Sequence, residues 1–259
     1  VRTLSSRVLV GIPVFNEARY VASVLDEVRR YASDILVIDD GSTDATPMRL
    51  AEQPVEVIRH AENRGYGRSM QDMIRWAEFD GYDWLITMDC DEQHEPASIP
   101  AFMDAIDRND ADVISGSRYL EIDQSDDDPP ADRRSINRTI TAELNCRLGL
   151  AMTDAFCGFK AYRVAACAPL PLDVDGYDFP MQFWVQAVAH GLRVTEIPVR
   201  LIYNDPERSF GGPLDIPATR LGHYRETMYR ELARWEHRLS TTARPCAEIH
   251  AAASQWIAG

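Results

Sequence analysis

Two carboxylates one residue apart, Asp89 and Asp91, follow the apolar run Trp84 to Met88. A buried strand ending in such a pair places both acids at its carboxyl end, where open α/β sheets bind ligands. Their hard oxygens suit Mg2+ or Mn2+, and a dication held between them would neutralise a diphosphate. Taken alone, the same pair is a polar turn after a strand. Three other turns carry comparable groups. Gly11 to Glu17 closes a strand and opens a helix, with Asn16 at the capping position and helix amides available to an anion. The run Val37 to Asp44 again sets acids, Asp39 and Asp40, at a strand end, where carboxylates can take a base edge or a ribose hydroxyl. The run Asn63-Arg64-Gly65-Tyr66-Gly67-Arg68 offers glycines for close backbone approach and two cations for phosphate.

Positioning these turns requires a particular set of elements. Candidate strands are Arg7 to Val14, Ile35 to Asp39, Val55 to Arg59, Trp84 to Met88 and Val113 to Ser117, with helices beginning near Glu17, Thr43, Tyr66 and Pro96 between them. That alternation predicts a mostly parallel sheet with covering helices. Ser42 and Asp44 stand where an N-cap belongs. The stretch Glu121 to Asp132 holds six acids and Pro129-Pro130, so it reads as an irregular loop able to act as a lid. Beyond it lie a helix from about Arg133 to Leu148, a Gly- and aromatic-rich stretch to Tyr162, a helix around Met181 to His190 and short strands in Arg193 to Tyr203. The last helix carries the stripe Ile216, Leu221, Tyr224, Met228, Leu232, Trp235 and Leu239 with arginines between. It reads either as a core cover or as an interfacial helix resting on anionic lipid.

The balance of 27 basic and 41 acidic residues gives a net charge of −14. That argues against a nucleic-acid-coating surface and requires local cations or a metal wherever an anionic ligand binds. No apolar run approaches the length of a membrane span, and Val1 to Arg7 is too short and polar for a signal peptide. Five scattered cysteines without a CxxC pair predict neither a zinc site nor a disulfide framework, which fits a reducing cytoplasm. His60 and His94 read as structural or capping residues.

In order, Ile12-Pro13-Val14-Phe15-Asn16-Glu17, Asp39-Asp40-Gly41-Ser42-Thr43-Asp44, Asn63-Arg64-Gly65 and Asp89-Cys90-Asp91-Glu92-Gln93-His94 resemble the family 2 glycosyltransferases of the GT-A fold. Through Ser117-Arg118-Tyr119 and Asp154 to Lys160 the chain is most similar to the polyprenyl (dolichyl) phosphate mannose and glucose synthases, over residues 7 to about 213. The resemblance implies an α/β, Rossmann-like central sheet flanked by helices, with a mixed acceptor-side C-terminal half. It implies one domain over 1–240: a nucleotide-binding half 1–118, an acceptor half 119–214 and an amphipathic helix 215–240, before a tail 241–259. The implied donor site comprises Pro13, Phe15, Glu17, Asp39, Asp40, Arg64, Gly65, Asp89, Cys90 and Gln93, with Asp89, Asp91 and Gln93 at Mn2+ or Mg2+.

Breaking a glycosyl phosphate bond requires stabilising the departing diphosphate, which a metal does without proton transfer. A phosphate acceptor then needs only cations, for which Arg118, Lys160 and Arg208 are candidates; a hydroxyl acceptor needs a base, for which Asp154 and Asp178 are. The expected activity is transfer of a hexose from a UDP or GDP sugar (GDP-mannose or UDP-glucose class) to a polyprenyl phosphate, in cell-envelope glycan biosynthesis. That would place a cytoplasmic enzyme in peripheral contact with the inner face of the membrane. The same donor chemistry with a soluble or polysaccharide acceptor, and a non-catalytic nucleotide-binding scaffold, are the alternatives.

Overall fold

The computed structural model describes residues 6–91, 94–121, 129–200, 202 and 211–239. Within them the chain runs β1 (Val8–Val14), α1 (Val21–Val28), β2 (Ile35–Asp39), α2 (Thr46–Ala51), β3 (Glu56–Arg59), α3 (Tyr66–Phe79), β4 (Trp84–Thr87), α4 (Ile99–Arg108) and β5 (Val113–Ser117). It continues through α5 (Ala131–Leu148), β6 (Lys160–Arg163), α6 (Val164–Cys167), α7 (Phe179–Ala189), β7 (Val194–Pro198) and α8 (Pro217–Arg234). Seven strands form one sheet in the order β3-β2-β1-β4-β6-β5-β7. All pair in parallel except β6, which runs antiparallel to both β4 and β5.

Alternate residues of the central strands serve opposite faces, as the two-residue period of a strand demands. Leu9, Leu36, Ile38 and Leu85 join one apolar cluster with residues of α3, α5, α7 and α8, whereas Val10, Ile12, Val37 and Ile86 join another with residues of α1 and α4. Burial on both faces explains why these strands read as nearly unbroken apolar runs in the sequence. The five strands expected in the first 118 residues all form. Strand β6 was not foreseen, because Lys-Ala-Tyr-Arg has a cation at each end and no apolar run; it sits in mid-sheet with Lys160 only 3% exposed.

Two capping expectations need correction. Helix α1 starts at Val21, not near Glu17, because Asn16 is left-handed (φ 57°) and the Glu17 carbonyl accepts from the amides of Tyr20 and Val21 in a turn. Asn16 instead accepts the amides of Thr43 and Asp44 (2.8 and 3.3 Å), while its own amide donates to Ser42 Oγ (2.9 Å). Asp44 accepts from the first amide of α2 and from the amide of Ala18 (2.9 and 3.2 Å), so the loops after β1 and β2 are stitched reciprocally. The seven residues 122–128 of the expected lid lie outside the described residues.

Helix α8 packs on the core through Tyr224 and Met228, with Leu221, Leu232, Trp235 and Leu239 partly buried beside them. Ile216 is exposed. Two of its arginines turn inward, Arg220 to Asp132 and Arg225 to Glu143, whereas Arg230 and Arg234 stay exposed. The core-cover reading of this stripe is the one the packing supports. No helix among the described residues is long and apolar enough to cross a membrane.

Asp112 ties the late strands together at the end of the sheet opposite the ligand turns. It accepts from Arg193 Nε and Nη2 (both 2.9 Å) and from Arg163 Nε (3.0 Å), joining β5, β6 and β7. These hydrogen bonds, Arg193 foremost, hold its carboxyl down at about 2 against the opposing effect of partial burial. A depressed carboxylate stabilises the fold fully above its unfolded value of 3.8 and loses that contribution as pH falls toward 2. Asp112→Asn should therefore lower Tm at pH 7 by about 2–4 °C, roughly 1 kcal/mol after solvent screening. Thermal unfolding across pH should show the gap to wild type closing below pH 4, and a gap independent of pH would contradict this.

Candidate active site

The carboxyl ends of β1, β2 and β4 open into a cleft of about 340 Å3, where the sheet's connections place the ligand turns. Pro13, Phe15, Glu17, Asp40, Gly65, Asp89, Cys90 and Asp91 line it on one side. Arg118, Tyr119, Arg133, Asn137, Phe156, Arg220 and Tyr224 line the other. Acids and arginines thus face each other across one cavity.

Asp40 is 4% exposed and acts through its neighbours. One oxygen accepts from His60 Nδ1 (2.6 Å) and the Arg64 amide (2.8 Å), and the other from the Gly65 amide (2.8 Å). His60 Nε2 faces Asp72 at 3.1 Å, which ties this cluster to α3. Gly65 has φ 99°, and a Cβ there would lie 2.3 Å from the Asp175 carbonyl, so only glycine fits the loop. Asp40 therefore shapes the rim with a carboxylate already engaged. Asp39 was expected in the donor site but is not among the cleft-lining residues. It is fully buried, accepting the Ser42 amide (2.9 Å) and pairing with Arg59 (3.1 Å). Arg64 is exposed, contributes its amide to Asp40, and its side chain does not line the cleft.

Asp89 and Asp91 both reach the cleft, Asp91 at 6% exposure and the Asp89 side chain at 35%. The backbone of Gly158 lies against the Asp89 carboxylate, and its carbonyl is held by Thr87 Oγ1 at 2.8 Å. His94 Nδ1 accepts the Asp89 amide (2.9 Å) and Nε2 faces Cys157 Sγ (3.9 Å), so it braces the turn from behind. Burial works against a charge on this ring, while Asp89, Cys157 and Asp91 work for one and raise its pKa to about 9. A lone pair on Nδ1 is nonetheless needed by the Asp89 amide, so the hydrogen-bond pattern selects the neutral ring once those carboxylates are charge-compensated. Among the described residues no three His, Cys, Asp or Glu side chains group as a metal site, and Gln93 lies outside them. Two clustered carboxylate oxygens opening on a cleft fit a hard dication that takes further oxygens from a phosphate ligand.

On the opposite wall Asp154 is wholly buried. It binds Arg118 through Nε and Nη2 (2.7 and 3.0 Å) and also accepts from Asn137 Nδ2 (2.7 Å) and the amides of Phe156 and Cys157 (3.1 and 3.2 Å). Burial opposes its ionisation, yet Arg118 and Asn137 hold its carboxyl well below the usual range. Glu196 on β7 accepts the amides of Thr153 and Asp154 (2.8 and 3.1 Å) and braces that turn.

Asp154, Lys160 and Asp178 are each held by internal bonds. Asp154, a candidate base, is spent on orienting Arg118. Lys160, a candidate phosphate cation, is buried beneath the cleft and donates to the Cys157 carbonyl; burial lowers its pKa. Asp178, the other candidate base, does not line the cleft and accepts from Thr227 Oγ1 (2.5 Å), with His223 at 3.1 Å. Arg208 lies outside the described residues. Arg133 and Arg220, not nominated from the sequence, stand where those cations were sought. Arg133 had a legible signal, following the Pro129-Pro130 break at a helix start.

A sheet of this order, with its ligand groups gathered at the carboxyl ends of β1, β2 and β4, defines a glycosyltransferase of the GT-A fold. Its fold matches glucosyl-3-phosphoglycerate synthase of Mycobacterium tuberculosis, solved with phosphoglyceric acid, at a TM-score of 0.70 and 16% identity over 88% of this chain and 80% of that one. The same synthase with Mn2+, UDP and glucosyl-3-phosphoglycerate matches at 0.67 and 17%, over 89% and 80%. The chain belongs to Glycosyl transferase family 2, whose sequence profile matches residues 9–170. It is 32% identical over 215 residues to the undecaprenyl-phosphate mannosyltransferase of Micrococcus luteus, covering 79% of this chain and 86% of that protein. It is 28% identical over 242 residues to the polyprenol monophosphomannose synthase of Mycolicibacterium smegmatis, covering 89% and 87%.

The contact at Gly158 gives a test of the carboxylate pair. A Cβ there would sit 2.6 and 2.9 Å from the Asp89 oxygens, so Gly158→Ala must displace the carboxylate. We expect nucleotide diphosphate affinity in Mn2+ to fall about tenfold, roughly 1.4 kcal/mol, with the circular dichroism spectrum unchanged. Calorimetric titration giving the wild-type Kd would contradict the assignment.

Proposed function

We propose that this glycosyltransferase moves a hexose from a nucleotide diphosphate sugar, of the GDP-mannose or UDP-glucose class, to a polyprenyl phosphate. Residues 1–240 would act as one domain at the inner membrane face. The observation that carries the reading is the state of the acceptor-side acids: both Asp154 and Asp178 are engaged in internal bonds. A hydroxyl acceptor needs a base to take its proton, whereas a phosphate arrives ionised and needs only cations. Similarity to two enzymes named for polyprenyl phosphate acceptors supports the same choice.

In this reading Pro13, Phe15, Glu17 and Gly65 receive the nucleoside side of the donor, and Asp89 and Asp91, with Gln93, hold Mn2+ or Mg2+. When bound, that cation supplies the charge that stabilises the departing diphosphate. Arg118 presents its guanidinium to the acceptor phosphate from a position set by the buried Asp154 carboxylate. Arg133 adds charge to the same wall. Tyr119, Phe156 and Tyr224 give the cleft aromatic surface, with Phe156 and Tyr224 rings 4.8 Å apart, which excludes water from the reacting groups.

The test is transfer of radiolabelled sugar to polyprenyl phosphate in liposomes. Label should enter the organic phase with wild type, and Arg118→Ala should lose about 2–5 kcal/mol of transition-state stabilisation, the range for truncating a buried charge pair. Label found only in a water-soluble glycoside would transfer the assignment to a soluble acceptor. Nucleotide binding without transfer to either would leave the scaffold reading.

A further inference from the structure

Helix α8 contributes Arg220 to the acceptor wall of the cleft. Its side chain is only 3% exposed although it carries a full charge. Burying a guanidinium is costly unless good partners meet it, and an apolar residue would cover the core with less penalty. The partners are specific. Nη1 donates to the Leu214 carbonyl (2.8 Å) in the short turn Gly212–Asp215, and Nη2 donates to Asp132 Oδ2 (2.6 Å) in the first turn of α5. The residue after Asp132 is Arg133, which lines the cleft together with Ile136 and Asn137 of the same helix. Asn137 in turn donates to Asp154, the carboxylate that orients Arg118. The start of α5 therefore carries the acceptor wall, and Arg220 is its tie to α8.

A second ion pair joins the same two helices further along. Arg225 pairs with Glu143, eleven residues beyond Asp132 and about 16 Å along the helix. Glu143 does not line the cleft. Among the described residues the helix pair thus has one ion pair at the cleft and one remote from it, where the Tyr229 hydroxyl also donates to Glu143 (3.4 Å).

We propose that Arg220 is a positioning residue for the acceptor: through Asp132 it holds the start of α5 so that Arg133 faces the acceptor phosphate and Asn137 keeps its bond to the Asp154 that orients Arg118. It takes no part in donor binding. This rests on the acceptor reading above, so its test includes a measurement independent of turnover.

The kinetic arm varies polyprenyl phosphate in liposomes at saturating donor, comparing wild type with Arg220→Ala, Arg220→Lys, Asp132→Asn and Arg225→Ala. Arg220→Ala and Asp132→Asn should raise the acceptor KM about tenfold while the Kd for nucleotide diphosphate in Mn2+ stays within about twofold. Arg220→Lys should recover part of the loss, because it keeps the charge but not the two-pronged grip. Arg225→Ala should lower Tm yet leave the acceptor KM within about twofold. The proposal is overturned by an unchanged KM in Arg220→Ala and Asp132→Asn, by an equal rise in Arg225→Ala, or by a parallel loss of nucleotide affinity. The second arm is amide hydrogen exchange of residues 131–137. Arg220→Ala and Asp132→Asn should speed it and Arg225→Ala should not. Where wild type fails to use polyprenyl phosphate, the acceptor reading falls, and exchange alone decides: unaltered protection in both cleft-end variants overturns the positioning role.

Discussion

In the proposed function an anionic donor must enter a cleft of which one wall is itself acidic. Glu17, Asp89 and Asp91 converge there in a protein of net charge −14, and the carboxylate of Asp40 lies close beneath. Two like charges 4 Å apart repel by about 4 kcal/mol at an effective dielectric near 20, so a diphosphate cannot settle against this wall uncompensated. The donor-wall residues Pro13, Phe15, Glu17, Asp40, Gly65, Asp89, Cys90 and Asp91 include no Lys or Arg. Gly158 leaves the space that the Asp89 carboxylate occupies, because a Cβ there would overlap it, and His94 braces the Asp89 backbone. In the proposed function this wall would hold a cation first and a diphosphate through it.

The opposite wall solves the reverse problem, that of keeping cations aimed at an anion without collapse onto the acids nearby. Asp154 does this by absorbing Arg118 in a two-pronged buried pair, itself satisfied by Asn137 and two amides. A buried pair contributes little net stability against an apolar replacement, but losing one partner leaves an uncompensated charge. Its value lies in geometry. Acceptor-side carboxylates used in this way are unavailable as bases, and an acceptor that is already ionised is the chemistry compatible with that.

Much of this was legible in the sequence, because the donor side is local. Strands buried on both faces announce themselves as apolar runs, and the groups at their ends, Pro13, Phe15, Glu17, Asp40, Gly65, Asp89 and Asp91, reach the cleft from turns only a few residues long. The acceptor side was not local. Arg133 comes from α5 and Arg220 from α8, brought together by helix packing that no short motif encodes. Lys160 reads in the sequence as a cation for an acceptor phosphate because β6 is too short and too polar to read as a strand, yet it lies in mid-sheet. Asp39 and Asp40 are adjacent in sequence, and the alternation of a strand end sends one into the core and the other to the cleft.

The requirement of donor binding for a cation held by Asp89 and Asp91 is read out by calorimetric titration of wild type with UDP and GDP, in Mn2+ and again in EDTA. One of the two nucleotides should bind in Mn2+, and its affinity should fall at least about a hundredfold in EDTA, roughly 2.7 kcal/mol. Equal affinity with and without the metal would contradict it.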